Sequence, residues 1–338
     1  VPVPAPQLSF VTAAPSGSPA AIGHDVSCQK SPAAMSQMPS PGAMPLGSTM
    51  RTIQDRGYLI AGVDQDSYKW GYPNPFPSPT NGGEYKGFDI DMLHALSYAI
   101  FKDANKIHFV PVGQDYRLRA ANQGIVDVVA DSITITCKRN AQVSFSVDYF
   151  DAGASLLVPR EDSTTKVLVS PSPAGTPHIE VAKDGTKDGK VCTVGSTTSV
   201  DSLKALANDG HFGIVLADNW SDCLALLQQG AVQAFSTDNT ILSGIAAEDL
   251  DLKLVGPTFS YEPHGLAFPM KDSSGKSNSQ FVSFANGVIL GVESKSSPPG
   301  DCPQARSSSE SCWMAMYRAW VQPPLDTTAG PPSPRSSP

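Results

Sequence analysis

Between about Tyr58 and Trp320 the chain alternates short apolar runs with helical stripes, the pattern of an α/β architecture. Tyr58-Leu-Ile-Ala-Gly-Val63 reads as a strand that ends on Asp64. After a loop rich in Pro and Gly, Met92, Leu93, Leu96, Ala99 and Ile100 recur at helical spacing, with Asp89 placed to cap that helix. Ile107–Val112 predicts a second strand, residues 116–123 a short helix, and Val126–Ala130 a third strand. Farther on, strands are expected at Lys190–Val194 and Val232–Phe235. Helices are expected from Ser199 to Leu206, around Trp220, Leu224 and Leu227, and around Ile241, Leu242 and Ile245. Phe281, Phe284 and Val288, then Trp313, Met316, Tyr317 and Trp320, mark two final amphipathic helices.

The two ends break this pattern. Residues 1–47 hold nine prolines and only Asp25 and Lys30 as formal charges, and residues 298–338 hold nine more prolines. Neither stretch carries enough apolar surface to order itself, so residues 1–47 are expected to be a spacer and 322–338 a disordered tail. The body of about 48–321 is long enough for one large domain or two of ordinary size.

Charge and composition narrow the function. A net charge of -8 without a basic run argues against a nucleic-acid partner. Mean hydropathy is -0.15, and no run approaches the ~20 apolar residues of a membrane span. The six cysteines form no Cys-x-x-Cys and share no zinc-like spacing with histidine, so no metal or other cofactor is expected. An even count without metal spacing points instead to disulfides and an oxidising compartment. Val-Pro-Val-Pro-Ala-Pro has neither the basic start nor the apolar core of a signal peptide, so the chain reads as mature and exported.

Enzyme motifs are missing: no G-x-S-x-G elbow, H-E-x-x-H, P-loop or G-x-G-x-x-G occurs, and the six histidines are scattered. What remains is a set of polar residues at strand ends. In Ile125–Arg139, Ser132 and Thr134 leave a strand and Arg139 enters the next helix. Ligands of open α/β sheets sit beyond the carboxyl ends of strands, and an arginine there grips a carboxylate with two parallel bonds. By itself Arg139 reads more readily as half of a surface ion pair.

Several runs together resemble the amino-acid-binding components of ABC importers, solute-binding protein family 3. They are Gly62-Val-Asp64, Tyr85-Lys-Gly-Phe-Asp-Ile-Asp-Met92, Ser132-Ile-Thr-Ile-Thr-Cys-Lys-Arg139, Val143-Ser-Phe-Ser146, Val194-Gly-Ser-Thr-Thr-Ser199, Trp220-Ser-Asp-Cys-Leu224 and Ala234-Phe-Ser-Thr-Asp-Asn239. The resemblance spans about residues 50–321. The Pro-rich leader and the cysteine pattern are most similar to actinobacterial glutamine/glutamate-binding lipoproteins.

That resemblance implies a two-lobed periplasmic-binding-protein type 2 fold with the ligand cleft between lobes. Lobe 1 would comprise 48–152 and 260–321, lobe 2 would comprise 155–257, and two crossing segments would join them. It implies extracytoplasmic binding of a free polar L-amino acid for delivery to a membrane permease. The protein would be a monomer held at the membrane by an N-terminal lipid outside this chain. A membrane sensor is the alternative partner. A dehydratase on the same fold, with Glu262 or Asp131 as acid, and a purely structural surface protein are the competing functions. Arg139 would hold the ligand α-carboxylate with Thr134 and the backbone at Ser132, and Asp238 the α-ammonium from the other lobe, although Asp238 also suits a helix N-cap. Asp64 would face the ligand side chain beside Tyr68 or Trp70, and Thr197 and Thr198 would offer helix-start N–H groups.

Departures from the family bear on specificity. Val194, Gly195 and Pro73 stand where relatives often carry a basic residue, and Asp64 and Asp131 favour an amide or a cation. Glutamine or asparagine is therefore expected ahead of glutamate or aspartate, with Lys69 as a reserve of positive charge. The implied fold also restricts the disulfides. Cys192–Cys223 would staple lobe 2, Cys302–Cys312 would close a small ring, and Cys28–Cys137 would tie the leader beside the ligand loop unless Cys28 stays free in the spacer.

Overall fold

Leu59–Val63 lies between two parallel neighbours, Ile107–Pro111 and Val128–Ala130, and is almost wholly buried, as a parallel strand covered on both faces must be. These elements belong to a computed structural model describing residues 22, 24–27, 31–77, 83–161, 165–170, 178–183, 189–207, 212–294 and 310–321. Two antiparallel strands, Glu262–Phe268 and Ser144–Ala152, complete a five-stranded sheet. A second five-stranded sheet repeats the plan. Lys190–Val194 lies parallel to Gly213–Ala217 and Ala234–Asp238, and Ala154–Pro159 and Leu252–Val255 run antiparallel. Each sheet has its own core, one around Trp70, Phe88, Tyr149 and Trp313, the other around Leu157, Trp220, Phe235 and Leu242. The fold is thus two α/β lobes.

The chain crosses between lobes at Gly153, which separates Ser144–Ala152 from Ala154–Pro159, and returns between Leu252–Val255 and Glu262–Phe268. The two crossings touch: Ala154 N donates to Ser260 Oγ at 3.0 Å and Phe259 N to Ala154 O at 2.9 Å. A Cβ at Gly153 would lie 2.6 Å from Ser260 O, so the close approach requires glycine.

Some elements escape the periodicity. Glu262–Phe268 is buried at every position and shows no alternation, and Ala154–Pro159 is nearly so. The third strand of the first sheet starts at Val128, not Val126, and its counterpart in the second sheet is Ala234–Asp238, not Val232–Phe235. An antiparallel hairpin, Thr165–Ser170 with His178–Lys183, and a helix, Thr49–Arg56 capped by Ser48, were not foreseen. The expected Asp89 cap is a correction. The helix Phe88–Phe101 starts at Gly87, and its first N–H groups, on Phe88 and Asp89, donate to Lys69 O and Trp70 O. Gly87 has φ 132°, and a side chain there would collide with the Trp70 carbonyl, so the backbone fills the capping role and frees the Asp89 carboxylate.

The leader also differs from a free spacer. Residues 31–47 run along the first lobe: Met35 N donates to Ser283 O, Gly42 N to Ala99 O, and Asn286 Nδ2 to Ser31 Oγ and Pro32 O. Met44 is buried, and Met35 and Met38 pack on the same core. A segment too polar to form a core has borrowed one, methionine fitting the gaps the helices leave. Cys28, Cys302 and the tail from 322 lie outside the described residues. Met44→Ala is expected to cost about 2–5 kcal/mol of stability, as for a buried methionine. Chemical denaturation checks this, and an unchanged midpoint would mean that the leader is not part of the folded core.

Candidate functional site

The residues singled out at strand ends converge where the lobes meet. Asp64 follows Val63, Asp131 and Ser132 follow Ala130, Thr197 follows Val194 across a turn, and Asp238 ends its strand. All lie at carboxyl ends of parallel strands, the ligand position of open α/β sheets. A narrow gap of about 10 Å³, room for about one water molecule, lies between the shut lobes, its wall including Arg117, Ser132 and Thr134 from the first and Thr197, Thr198 and Asp238 from the second.

The lobes are shut on one another. Thr134 Oγ1 meets Thr198 Oγ1 at 3.2 Å, Trp70 Nε1 donates to Thr240 O at 3.0 Å, and Trp220 Nε1 donates to Asp64 Oδ2 at 3.2 Å. Ser221 N and Oγ both donate to Asp66. His264 from the first sheet reaches Asp238 Oδ2 on the second at 2.8 Å.

Each expected residue has a definite place. Arg139 is buried at the start of a short helix, and its Nη1 donates to Thr134 O at 2.8 Å. Burial, then the charge of Arg117, draws its guanidinium down to about 10. Asp238 stands at the N-cap position of Asn239–Glu248 yet makes no capping bond with its side chain, which pairs with His264. Burial and the charge of Glu262 push its carboxyl up, against the pull of His264 and Arg139. Thr198 opens its helix, and Thr197 Oγ1 turns back to Val194 O. Asp64 is occupied by its own loop, accepting from Gln65 N, Asp66 N and Ser67 Oγ besides Trp220. Trp70 is fully buried between Phe88, Phe150 and His264, and Tyr68 stands edge-on to Tyr72.

Four residues of the site were not legible as such. Asp89, buried, accepts from Ser132 N at 2.6 Å, Ser132 Oγ at 2.9 Å and Tyr149 Oη at 2.6 Å. It fixes Ser132 at φ 42°, and Ser196 in the facing loop has φ 61°. Two non-glycine residues in the left-handed region flank the cleft, a strain that surrounding bonds must hold. Arg117 is buried against Asp131, with Nη1 2.7 Å from Asp131 O and 3.1 Å from Oδ1. Burial raises the Asp131 carboxyl to about 8, opposed by Arg117 and reinforced by Asp64 and Asp89. His264 faces Asp238, and His24 of the leader faces Glu262 at 3.2 Å, with the same ring nitrogen 3.2 Å from Tyr261 O. Only the run of "S/T/D before a helix" hinted at any of these; the histidines carried no sequence signal.

The leader thereby straps the cleft. Ile22 O accepts from Ser202 Oγ on the second lobe, His24 reaches Glu262 at the return crossing, and Asp25 O accepts from Cys137 N on the first lobe. Cys137 is disulfide-bonded, and Cys192 and Cys223 form a disulfide that joins a strand to a helix of the second lobe. Cys312 is buried at the start of the last helix. No cluster of potential metal ligands occurs among the described residues.

With this geometry in place, the comparisons are direct. A model of bacterial extracellular solute-binding proteins, family 3, matches residues 68–289. The chain belongs to this family. It is 32% identical over 219 residues to a glutamine-binding protein of Geobacillus stearothermophilus, covering 65% of this chain and 75% of that protein. It is 30% identical over 219 residues to the ABC transporter glutamine-binding protein GlnH of Bacillus subtilis (strain 168), covering 65% and 72%. An ancestral arginine-binding protein bound to arginine superposes with a TM-score of 0.59 at 26% identity, covering 79% of this chain and 99% of that one. The family match begins at Tyr68, so the leader strap lies outside it.

The His24–Glu262 pair carries a pH signature. Burial opposes charge on His24, but the hydrogen bond and charge of Glu262 outweigh it, and its pKa rises above 6.5. Burial likewise opposes charge on Glu262, but His24 and the hydroxyls of Ser260 and Thr134 take it below 4.5. Stability from the histidine is complete below 6.5 and fades as pH rises through its raised value; that from the glutamate fades as pH falls through its lowered value. The stability gap between the protein and His24→Gln is therefore expected to peak between about 4.5 and 6.5, at ~1.5–3 kcal/mol, and to narrow on either side. Denaturation midpoints measured across pH check it, and a gap independent of pH would exclude an ion pair.

Proposed function

We propose that the protein captures a free polar L-amino acid outside the cytoplasm and presents it, as a monomer, to the membrane permease of an ABC importer. Membership of the extracellular solute-binding family and the names of the Geobacillus and Bacillus relatives support the transport role. The observation that carries the ligand class is a division of charge: Arg139 on one lobe and Asp238 on the other, both buried and within electrostatic reach of one another. An α-amino acid is a zwitterion whose carboxylate suits the guanidinium and whose ammonium suits the aspartate. Thr134, the Ser132 backbone, Thr197 and Thr198 add neutral partners. A ligand touching both lobes binds the closed form better than the open one and so shifts the population toward closure, the state a permease can recognise.

The chemistry of Glu262 speaks against that residue as the acid of a dehydration. A general acid must be protonated to eject water, whereas His24, Ser260 and Thr134 hold Glu262 in its ionised form.

Arg139→Ala and Asp238→Ala are each expected to weaken amino-acid binding at least ~10-fold, because each strands one charged end of a buried ligand. Isothermal titration calorimetry against the twenty amino acids is the measurement. Full affinity in Arg139→Ala would refute the assignment of the carboxylate anchor.

A further inference from the structure

The gap between the shut lobes holds about one water molecule, so the lobes must part before an amino acid can enter or leave. The leader stands across that motion. Half-buried Ile22 packs against the second-lobe core that includes Leu203 and Leu206, and its carbonyl accepts from Ser202 Oγ at 2.9 Å. Three residues later, Asp25 O accepts from Cys137 N on the first lobe at 2.8 Å. Between these anchors His24, its side chain 5% exposed, reaches Glu262 at 3.2 Å where the chain re-enters the first lobe. One apolar contact and one hydrogen bond thus hold the second lobe, and a hydrogen bond and a buried ion pair hold the first.

These anchors straddle the seam. Ser202 lies one turn along its helix from Thr198, and Cys137 lies three residues after Thr134, the two threonines that meet across the lobes at 3.2 Å. Three residue steps extend to no more than ~10 Å, so a wider parting of Ser202 from Cys137 detaches one end. Downstream, Met35 N and Gly42 N bond to backbone carbonyls of the first lobe, so the end that yields is the Ile22 contact with the second. We propose that Ile22, His24 and Asp25 form an intramolecular latch that biases the two lobes toward closure and slows release of the amino acid between them. The bias toward closure stands on the leader's own contacts; the effect on release rests on the amino-acid-binding reading.

Two physical conditions make the latch effective. Asp25 is fixed three residues away, so Ile22 is presented to the second lobe at high effective concentration and re-forms its contact at small entropic cost. The contact is made in the closed form and lost in the open one, so it shifts their ratio and tightens whatever binds the closed form. The family match begins at Tyr68, so the device lies outside the shared body of the fold.

Small-angle X-ray scattering of the full chain, refolded with its disulfides intact to remove any bound amino acid, reads closure directly. Ile22→Asp is expected to raise the radius of gyration above that of the unaltered protein. Met44→Ala, which opens a hole in the first-lobe core away from the seam, is expected to leave it unchanged. Stopped-flow dissociation of the tightest binder among the twenty L-amino acids is expected to be ~10-fold faster in Ile22→Asp, the scale of one apolar contact and one hydrogen bond lost. A melting curve verifies that the variant is folded. An unchanged radius of gyration or an unchanged dissociation rate in folded Ile22→Asp overturns the latch and leaves the amino-acid-binding reading in place. A radius that rises in Ile22→Asp while none of the twenty amino acids binds supports the bias toward closure and overturns the amino-acid-binding reading.

Discussion

Closing two lobes over a polar cleft removes charged groups from water, and the structure is organised around partnering them. His264 with Asp238 is the clearest case: a histidine on the first sheet meets a carboxylate on the second at 2.8 Å, with both side chains out of solvent. Burying a polar or charged group without a partner is costly, so neither group tolerates closure alone. Around this contact lie Arg139, Glu262 with His24, Arg117 with Asp131, and Asp89 with Ser132 and Tyr149. Opposite charges are distributed over both lobes and the leader, which makes the closed form depend on what occupies the gaps between them. A zwitterionic ligand adds one charge of each sign, leaving the balance unchanged while adding bonds to both sides.

The same constraint accounts for features remote from any ligand. Gly153 lets the crossings approach closely enough for Ser260 to bond both Ala154 N and Glu262, so the hinge and the charge cluster share a hydroxyl. Asp89 acts through Ser132, holding it in a left-handed conformation at the cavity wall. The leader brings a histidine to Glu262 while its neighbours bond to each lobe, so part of the electrostatic balance is supplied by a segment outside the family match.

Much of the fold was legible because local pattern and tertiary role agree there. Leu59–Val63, Lys190–Val194 and the helices at Phe88–Phe101 and Ser279–Glu293 follow apolar spacing closely. Glu262–Phe268 was not legible: it is buried on both faces, and its Glu and His find charged or polar partners, His24 and Asp238, elsewhere in the chain. The site divides similarly. Arg139, Asp238, Ser132 and Thr198 sit in local strand-end motifs, and the structure brings them to one cleft. Arg117 opens a six-residue helix and is indistinguishable in sequence from a surface arginine until Asp131 is seen beneath it. Asp89 looks like a cap because caps and buried acceptors share a residue type. Proline-rich residues 31–47 look disordered because their core belongs to another part of the chain.

A structure of the full chain crystallised with its tightest-binding amino acid tests the central claim most directly. The account places the ligand between the two sheets, its carboxylate on Arg139, its ammonium within hydrogen-bond distance of Asp238, and both lobes in contact with it. A ligand bound through one lobe alone, or lying in the cleft with Arg139 and Asp238 both free of it, would contradict the account.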